Sequence, residues 1–382
     1  MSLSTDTILD IGKGFPEPAA TLVQGRDREV PAYEVDTLSD KEWDDIVAGF
    51  EDVSYEQTAA YCVAIWGEKK NSHLLLRDGA NIIAAAHVLE FKIPGLDKGL
   101  AYVKFGPLWR RTNQQPDPND YCSILAALNE EYCNRRGLVL SILPRASPEF
   151  EPHEKALLET NGFNDHRPIE DSERYLVDLS LDEETQLASL GQTWRRNLRK
   201  SESSDLDIRF GVDTHAFEQF QTLHSSMVTR KNASHGDAVH VLPHLENALP
   251  EKLAPKIIIA YHEGKPIAGA AIALHGDTAY YVYGATAQVA LPLRAGYALQ
   301  WWIVRWLSDQ GVRWYDLGGT GGDSGLVQFK TGLVGRQGKF VELSGEYLRF
   351  NNYVDRIAAE VLFSLRACHR QTSRFLMSMM WR

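Results

Sequence analysis

The sequence predicts an α+β protein of two lobes, each a mixed, largely antiparallel sheet flanked by helices. Three observations carry that prediction. The chain repeats itself once. Each copy runs from helices into an antiparallel meander, then through a helix into a further strand. And 382 residues is a natural length for two domains. The first copy contains HLLLRDGANIIAAAHVLEF and the second IIIAYHEGKPIAGAAIALHG. In each, an apolar strand reaches an acidic-glycine turn (Asp78-Gly79, Glu263-Gly264) and returns as a second strand (Ile83 to Ala86, Ile267 to Ala270). A third strand follows, AYVKFGPLWR or TAYYVYGATA, then an amphipathic helix, then a strand opened by Gly137 or Gly311. The offset drifts only from 185 residues at the turn (79 to 264) to 174 at the later glycine (137 to 311). Drift of that size fits loop-length changes between two copies of one fold. The order is not the strict strand–helix alternation of a doubly wound nucleotide fold.

Residues 1–30 are rich in polar residues, Pro and Gly, and read as an irregular lead-in. SDKEWDDIVAGF has Ser39 or Asp40 as N-cap, with Trp43, Ile46, Val47 and Phe50 at helical spacing. SYEQTAAYCVAIWG is a second helix closed by Gly67. After the meander, Tyr121, Ile124, Leu125, Leu128 and Tyr132 share a helix face that ends at Arg135, Arg136 and Gly137. LVLSILP is a buried strand and EPHEKALLETNGF a helix. RYLVDLSL is a strand, DEETQLASLGQTWRRNLRKSE is expected as one helix, IRFGV as a strand and HAFEQFQTLHSSMVTRK as a helix. Leu299, Trp302, Ile303 and Trp306 share the face of the next helix, before the strand VRWYDLGG. The expected lobes are 1–165 and 166–345, with helices over 346–382 joined to the first. Val354, Ile357, Ala358, Val361 and Leu362 are the packing face of that last segment; its basic, Met-rich end leaves peripheral membrane contact open as a second reading.

Bulk properties exclude several classes. Apolar residues make up 44% and charged residues 24% of the chain, as in ordinary globular proteins. No apolar run reaches the roughly 18 residues of a membrane span, and the first residues lack a basic-then-apolar leader, so a cytoplasmic location is expected. Cys62, Cys122, Cys133 and Cys368 form no metal-ligand spacing. They are expected as reduced core thiols, with no metal site. A formal net charge of −11 opposes broad phosphate-neutralising binding, so DNA is not an expected partner. One basic cluster stands against that background: WRRNLRK, with Arg195, Arg196, Arg199 and Lys200. No Ser-His-Asp arrangement can be argued. His224 and the SHG at Ser234 to Gly236 read as helix surface and loop.

The segment with most chemical content is WYDLGGTGGDSGLVQFKTGLVGRQG, Trp314 to Gly338. A strand end runs into a cluster of glycines and then Phe329-Lys330. Such glycines either form a plain flexible connection or let backbone N–H groups approach an anion or carbonyl. No Lys stands where a P-loop needs one.

TWRRNLRKSE and YDLGGTGGDSGLVQFKTGLVG together resemble the Fem family of aminoacyl transferases and its close acyltransferase relatives, which are tandem GNAT-fold proteins. The family pattern combines a basic RRN-x-R-K helix, a Y-D-x-G-G strand end and a G-x-x-x-F-K-x-x-x-G stretch. Thr193 to Lys200 and Tyr315 to Gly335 fit it, and Val103 to Trp109 (VKFGPLW) resembles the Gly-Pro strand end of the first lobe. In order, the resemblance spans roughly residues 50–345. It implies two GNAT-like lobes, with the acceptor in a cleft of the first lobe or between lobes and the donor entering the second. It makes Phe329 and Lys330 the catalytic pair, the lysine stabilising charge on the reacting carbonyl. It implies substrate-binding roles for Arg230, for Tyr281 or Tyr283, and for Gly318 and Gly319. Arg195 and Arg199, on the basic helix, are expected to line the groove between the lobes and to hold the donor. The long coiled-coil arm of some members is absent here. At the pyrophosphate signature, Leu293-Arg294-Ala295-Gly296-Tyr297-Ala298, Leu293 stands where Gln or Arg is usual.

Two transferase readings follow. One moves an aminoacyl group from the tRNA acceptor end to an amine of a peptidoglycan or related cell-envelope precursor. The other uses an acyl-CoA or acyl carrier as donor. In either case the donor is a co-substrate, and no tightly bound cofactor is expected. A third reading, a non-catalytic binding protein, sits poorly with the intact Phe-Lys stretch.

Overall fold

The computed structural model describes residues 31–211, 214–231 and 238–364. The chain opens with β1 (Ala32–Val35), α1 (Asp40–Val47) and α2 (Ala59–Trp66). Ser39 and Glu42 close a reciprocal capping box at the start of α1. Helix α2 has no side-chain cap of its own. The buried Asp44 of α1 supplies one, accepting from Ala59 N at 2.6 Å and Ala60 N at 3.0 Å, a contact of the kind that stabilises a helix start by about 1 kcal/mol. The meander is β2 (Asn71–Asp78), β3 (Asn81–Lys92) and β4 (Gly99–Lys104). Helix α3 (Pro118–Leu128) continues through a π-type turn over Asn129–Arg135 into β5 (Val139–Leu143), α4 (Glu151–Thr160) and β6 (Asp165–Arg167).

The second half follows the same plan. It contains β7 (Glu173–Asp178), α5 (Glu183–Ser189), α6 (Gln192–Glu202), β8 (Asp207–Gly211), α7 (Thr214–Lys231) and α8 (Leu242–Ala248). The second meander is β9 (Lys256–His262), β10 (Lys265–His275) and β11 (Thr278–Thr286). Then come α9 (Ala290–Leu293), α10 (Ala295–Asp309), β12 (Trp314–Asp316), α11 (Ser324–Val334), β13 (Lys339–Glu342), β14 (Glu346–Arg349) and α12 over 353–364.

Two seven-stranded sheets result, ordered β1-β2-β3-β4-β5-β14-β6 and β8-β9-β10-β11-β12-β7-β13. Neighbours are antiparallel except β4/β5 and β11/β12, each parallel because a helix crosses between them. The sheets match position for position. In each, the sixth place goes to a strand remote in sequence from its neighbour: β14 returns to the first sheet beside β5, and β7, the first strand of the second half, lies beside β12. Both sheets are thus mixed α+β layers of the expected kind.

Alternation along the strands divides each core in two. Leu74 and Leu76 pack under α3 with Ile124, Leu125 and Leu128, whereas Leu75 and Ala85 face the other way onto Trp43 and Val47. In the second sheet Ile258, Ala270 and Ile272 meet Leu299 and Ile303 of α10, while Ile257, Ile259 and Ala271 meet Phe217 and Phe220 of α7. Val241, Leu245 and Ala273 join the cluster around Trp43, so one apolar core crosses between the lobes. A buried ion cluster reinforces that junction. Asp277, in the β10–β11 turn, accepts from Arg110 at 2.7 Å and from Arg145 at 2.5 Å.

Several sequence expectations need correction. The segment read as one helix over DEETQLASLGQTWRRNLRKSE breaks at Leu190-Gly191 into α5 and α6. The cause is distant in sequence: Gly191 N donates to Gly332 O at 2.9 Å, and α6 crosses α11 there. A Cβ on Gly332 would come within 2.9 Å of Trp194 Cδ1, so glycine is what permits this approach. Glu346–Arg349, read with the helices that follow it, is a strand. On α12 the buried residues are Asp355, Ala358, Ala359 and Phe363, while Val354, Ile357 and Val361 are exposed. Asp355 and Glu360 of α12 bind Lys98 and Arg167. Cys62 and Cys133 are buried free thiols and Cys122 is partly buried; Cys368 and the SHG tripeptide lie outside the described residues.

Candidate active site

The site forms where the second sheet splits. Strands β11 and β12 pair only from Thr278/Trp314 to Tyr280/Asp316. Beyond that point β11 runs on to Thr286 while the other strand turns away into Leu317-Gly318-Gly319. A cavity of about 880 Å³ occupies the gap. The first sheet has no equivalent opening, because β4 pairs with β5 through Lys104/Leu143 and Phe105 N still donates to Leu143 O at 2.7 Å. The first lobe instead supplies one wall: Ser54, Tyr55, Glu56 and Tyr61 from around the start of α2, and Lys104 and Phe105 from the end of β4.

Lys330 sits on the second turn of α11 and reaches back under the glycine turn. It is only 7% exposed. Its Nζ donates to Leu317 O at 2.6 Å and to Gly319 O at 2.5 Å. Gly318 makes this possible: its φ of 71° turns the two flanking carbonyls toward one ammonium. Asp316 Oδ1 accepts from Gly318 N at 2.7 Å and fixes the turn, while Asp316 Oδ2 holds Arg174 at 2.7 Å. Burial pulls the Lys330 pKa down to about 8, with Asp316 opposing the shift. Near neutral pH the group is therefore an ammonium with two N–H bonds used and one to spare. Phe329 does not face the same contacts; it packs between Trp194 and Tyr297.

The wall is electropositive. Lys104, Arg174, Lys231, Arg294 and Lys330 line the cavity, against Glu56 as the one lining carboxylate among the described residues. Burial works against the charge of Glu56. Lys104, 2.9 Å away, outweighs it and holds the carboxyl below its ordinary value. His275, between Tyr55 and Tyr280, is pushed down to about 3 by burial and stays neutral. Among the described residues no group of three or more His, Cys, Asp or Glu is placed to hold a metal.

The structure gathers some of the predicted residues and separates others. Lys330, Phe329, Gly318, Gly319, Tyr281 and Tyr283 all line the cavity. The two tyrosines do not share a face. A bulge at Val282 turns Tyr281 toward the α10 side and Tyr283 toward the α7 side, where it meets His224. His224, expected on a helix surface, is buried and part of the wall. Arg230 is exposed and outside the wall; it donates to Gln288 Oε1 and Thr286 O, both at 2.7 Å. Arg195 and Arg199 do not line the groove between the lobes. Helix α6 buries Trp194 and Leu198 against α10 and α11, which leaves the arginines on the far side of the second lobe. Glu56, Lys104, Arg174 and Arg294 were not singled out from sequence. Lys104 lay in one quoted motif, VKFGPLW, and Arg294 in the pyrophosphate signature, Leu293 to Ala298; Glu56 and Arg174 become neighbours through tertiary contacts alone.

Residues 188–331 match the family of acetyltransferase (GNAT) domains. The fold as a whole is shared with solved structures at low identity. FemX aligns with a TM-score of 0.67 at 15% identity, over 87% of this chain and 99% of that one. A conserved protein of unknown function from Bacteroides thetaiotaomicron aligns with a TM-score of 0.56 at 12% identity, over 83% and 99%. The C-terminal domain of a putative lysylphosphatidylglycerol synthetase from Agrobacterium fabrum aligns with a TM-score of 0.51 at 15% identity, over 84% and 95%. No curated protein sequence matches the chain. The architecture is a tandem GNAT-like fold, and most of its second lobe matches the acetyltransferase (GNAT) domain model. No helix among the described residues is long and apolar enough to cross a membrane.

Proposed function

We propose, starting from the acyltransferase domain of the second lobe, that this protein moves an aminoacyl group from aminoacyl-tRNA to an amine of a peptidoglycan or related cell-envelope precursor. The observation that carries this reading is Lys330, held by two carbonyls at the floor of a cation-lined cavity. Aminolysis of an ester forms a C–N bond, passes through a tetrahedral oxyanion and expels the carrier hydroxyl. A fixed ammonium with a free N–H stabilises that oxyanion where charge develops, without reorganising. Glu56 on the opposite lobe attracts the incoming amine, and the surrounding cations suit substrates that carry phosphates. The likeness to FemX over nearly its whole length, and to a synthetase whose name denotes lysyl transfer, supports an aminoacyl donor.

A second reading has its own observation. The N-terminus of α10 opens on the cavity through Arg294 and Gly296, a setting that binds phosphate, so an acyl-CoA donor would fit there. One experiment separates the two. Purified protein is incubated with an amine-bearing envelope-precursor extract and either a charged tRNA pool or a panel of acyl-CoA thioesters. Acceptor mass gain with charged tRNA supports the first reading, and release of coenzyme A thiol supports the second. Consumption of neither donor sinks both.

A further inference from the structure

Helix α12 turns apolar side chains both ways. Ala358, Ala359 and Phe363 pack on the first sheet, while Tyr353, Val354, Ile357 and Val361 form one outward stripe, between 46% and 71% exposed. A surface helix ordinarily carries charge on that face. The exposed charges of α12 are drawn aside instead: Arg356 binds Asp165 at 3.1 Å and Glu360 binds Arg167 at 2.7 Å. Further exposed apolar residues border the stripe. Leu96 is exposed at the β3–β4 turn, and Lys98 of that turn binds Asp355 of α12 at 2.6 Å. Trp66, exposed at the end of α2, meets Phe91 edge-on with 5.5 Å between centroids. Phe91 in turn packs on the cluster that holds Ala359 and Phe363. Lys70 stands over both rings, at 5.7 and 5.3 Å. Beyond the described residues the chain continues as LRACHRQTSRFLMSMMWR, with four arginines, three methionines, a tryptophan and no acid.

A bare apolar stripe is thus followed by an arginine-rich, acid-free stretch in a chain of net charge −11. Apolar side chains beside Arg, Lys and Trp are what a lipid surface takes up, with the acyl boundary receiving the first and anionic headgroups the basic residues. The other occupants fit less well. A second copy seated on the stripe would set two arginine-rich stretches side by side, which like charge opposes. A protein partner accounts for the stripe without accounting for the charge bias. We propose that α12 and the stretch after it dock this protein on an anionic phospholipid surface. The docked face adjoins the reaction cavity, because Tyr61 and Phe105 belong both to the cluster under α12 and to the cavity wall. The membrane then lies on the first-lobe side of that cavity, the side that carries Glu56. The assignment goes beyond the transfer reaction and does not depend on it.

The test is co-sedimentation of the full chain with vesicles of phosphatidylglycerol mixed with phosphatidylcholine, and with vesicles of phosphatidylcholine alone. The mixed vesicles are expected to bind at least about tenfold more tightly, with affinity that falls as salt rises. Ile357→Asp with Val361→Asp should weaken that binding at least about tenfold, the scale of one apolar side chain kept out of the lipid. Arg366→Gln with Arg370→Gln should weaken it by about tenfold as well; this pair leaves the stripe intact and guards against a folding defect in the first. Leu187→Asp, at an exposed apolar site on the second lobe, should leave it unchanged. A wild type that binds neither vesicle, as it would if a protein partner covered the stripe, overturns the proposal. Equal binding to both vesicles does so too, because the anionic headgroup then plays no part. Binding that survives Ile357→Asp with Val361→Asp overturns it as well, because the stripe is then covered by the chain's own continuation. A wild-type dimer in light scattering that becomes monomeric in the same variant makes the stripe an interface between copies and also overturns it.

Discussion

Replacing Lys330 with Met separates a reacting ammonium from a structural one. Holding a lysine at a pKa of about 8 rather than 10.5 costs the folded protein about 3 kcal/mol while the group is charged. Met fills a similar volume and lifts that cost. It also strips N–H donors from the Leu317 and Gly319 carbonyls, at about 1–3 kcal/mol each if they stay dry. The opposed effects leave net stability within about 3 kcal/mol and Tm within about 5 °C of wild type. The rate should not be spared: kcat is expected to fall on the order of 100-fold, with KM little changed. Two pH signatures accompany this. The wild-type kcat/KM profile should fall on the alkaline side near pH 8, as the ammonium is lost. Its stability should rise between pH 8 and 10.5, where the unfolded chain binds more protons than the folded one, and Lys330→Met should lack that rise. Steady-state kinetics and thermal melts across pH decide the matter. Wild-type kcat together with a Tm loss above about 10 °C would falsify the catalytic role and make the lysine a prop for the glycine turn.

Two further predictions concern the lobe junction and the cavity wall. Asp277→Asn leaves Arg110 and Arg145 without their shared carboxylate and should cost about 3–5 kcal/mol in denaturant unfolding. Burial opposes the Asp277 charge, but Arg145 and Arg110 outweigh it and hold the pKa down to about 2. The wild type should therefore lose about 2 kcal/mol as pH falls from about 4 to 2, and the variant should not show that loss. Glu56→Gln should raise KM for the acceptor amine about tenfold, with donor affinity unchanged; an unaltered acceptor KM removes Glu56 from acceptor binding.

The repeat, the meanders and the amphipathic helices were legible because each is written in local periodicity. Leu74, Leu75 and Leu76 alternate, and Tyr121 to Leu128 recur at helical spacing, whatever lies elsewhere in the chain. The misread features were set by contacts distant in sequence. Gly191 ends α5 because Gly332 lies against it, and no pattern within DEETQLASLGQTWRRNLRKSE encodes that meeting. Tyr281 and Tyr283 appear to share a face until the extra residue at Val282 is counted, and that count exists only in the pairing with Ala271 and Ile272. The basic helix showed its charges, but the face it would turn outward depends on where Trp194 finds Tyr297 and Phe329. Within the candidate site, the stretch from Asp316 to Lys330 was visible as motif, whereas Glu56 and Arg174 approach the cavity from separate elements.

The place of β14 inverts the usual order of assembly. Every strand of the second sheet lies between Glu173 and Glu342, so that sheet holds all its members before the chain reaches Glu346. The first sheet, begun at Ala32, stays open until Glu346–Arg349 arrives to fill the slot between β5 and β6. During synthesis the earlier lobe must wait with the apolar edge of Val139–Leu143 unpaired, an aggregation-prone state, while the later lobe is completed. A nascent chain stalled near residue 345 should thus protect its second half from protease and leave its first half open to cleavage. Release of four more strand residues should close the first.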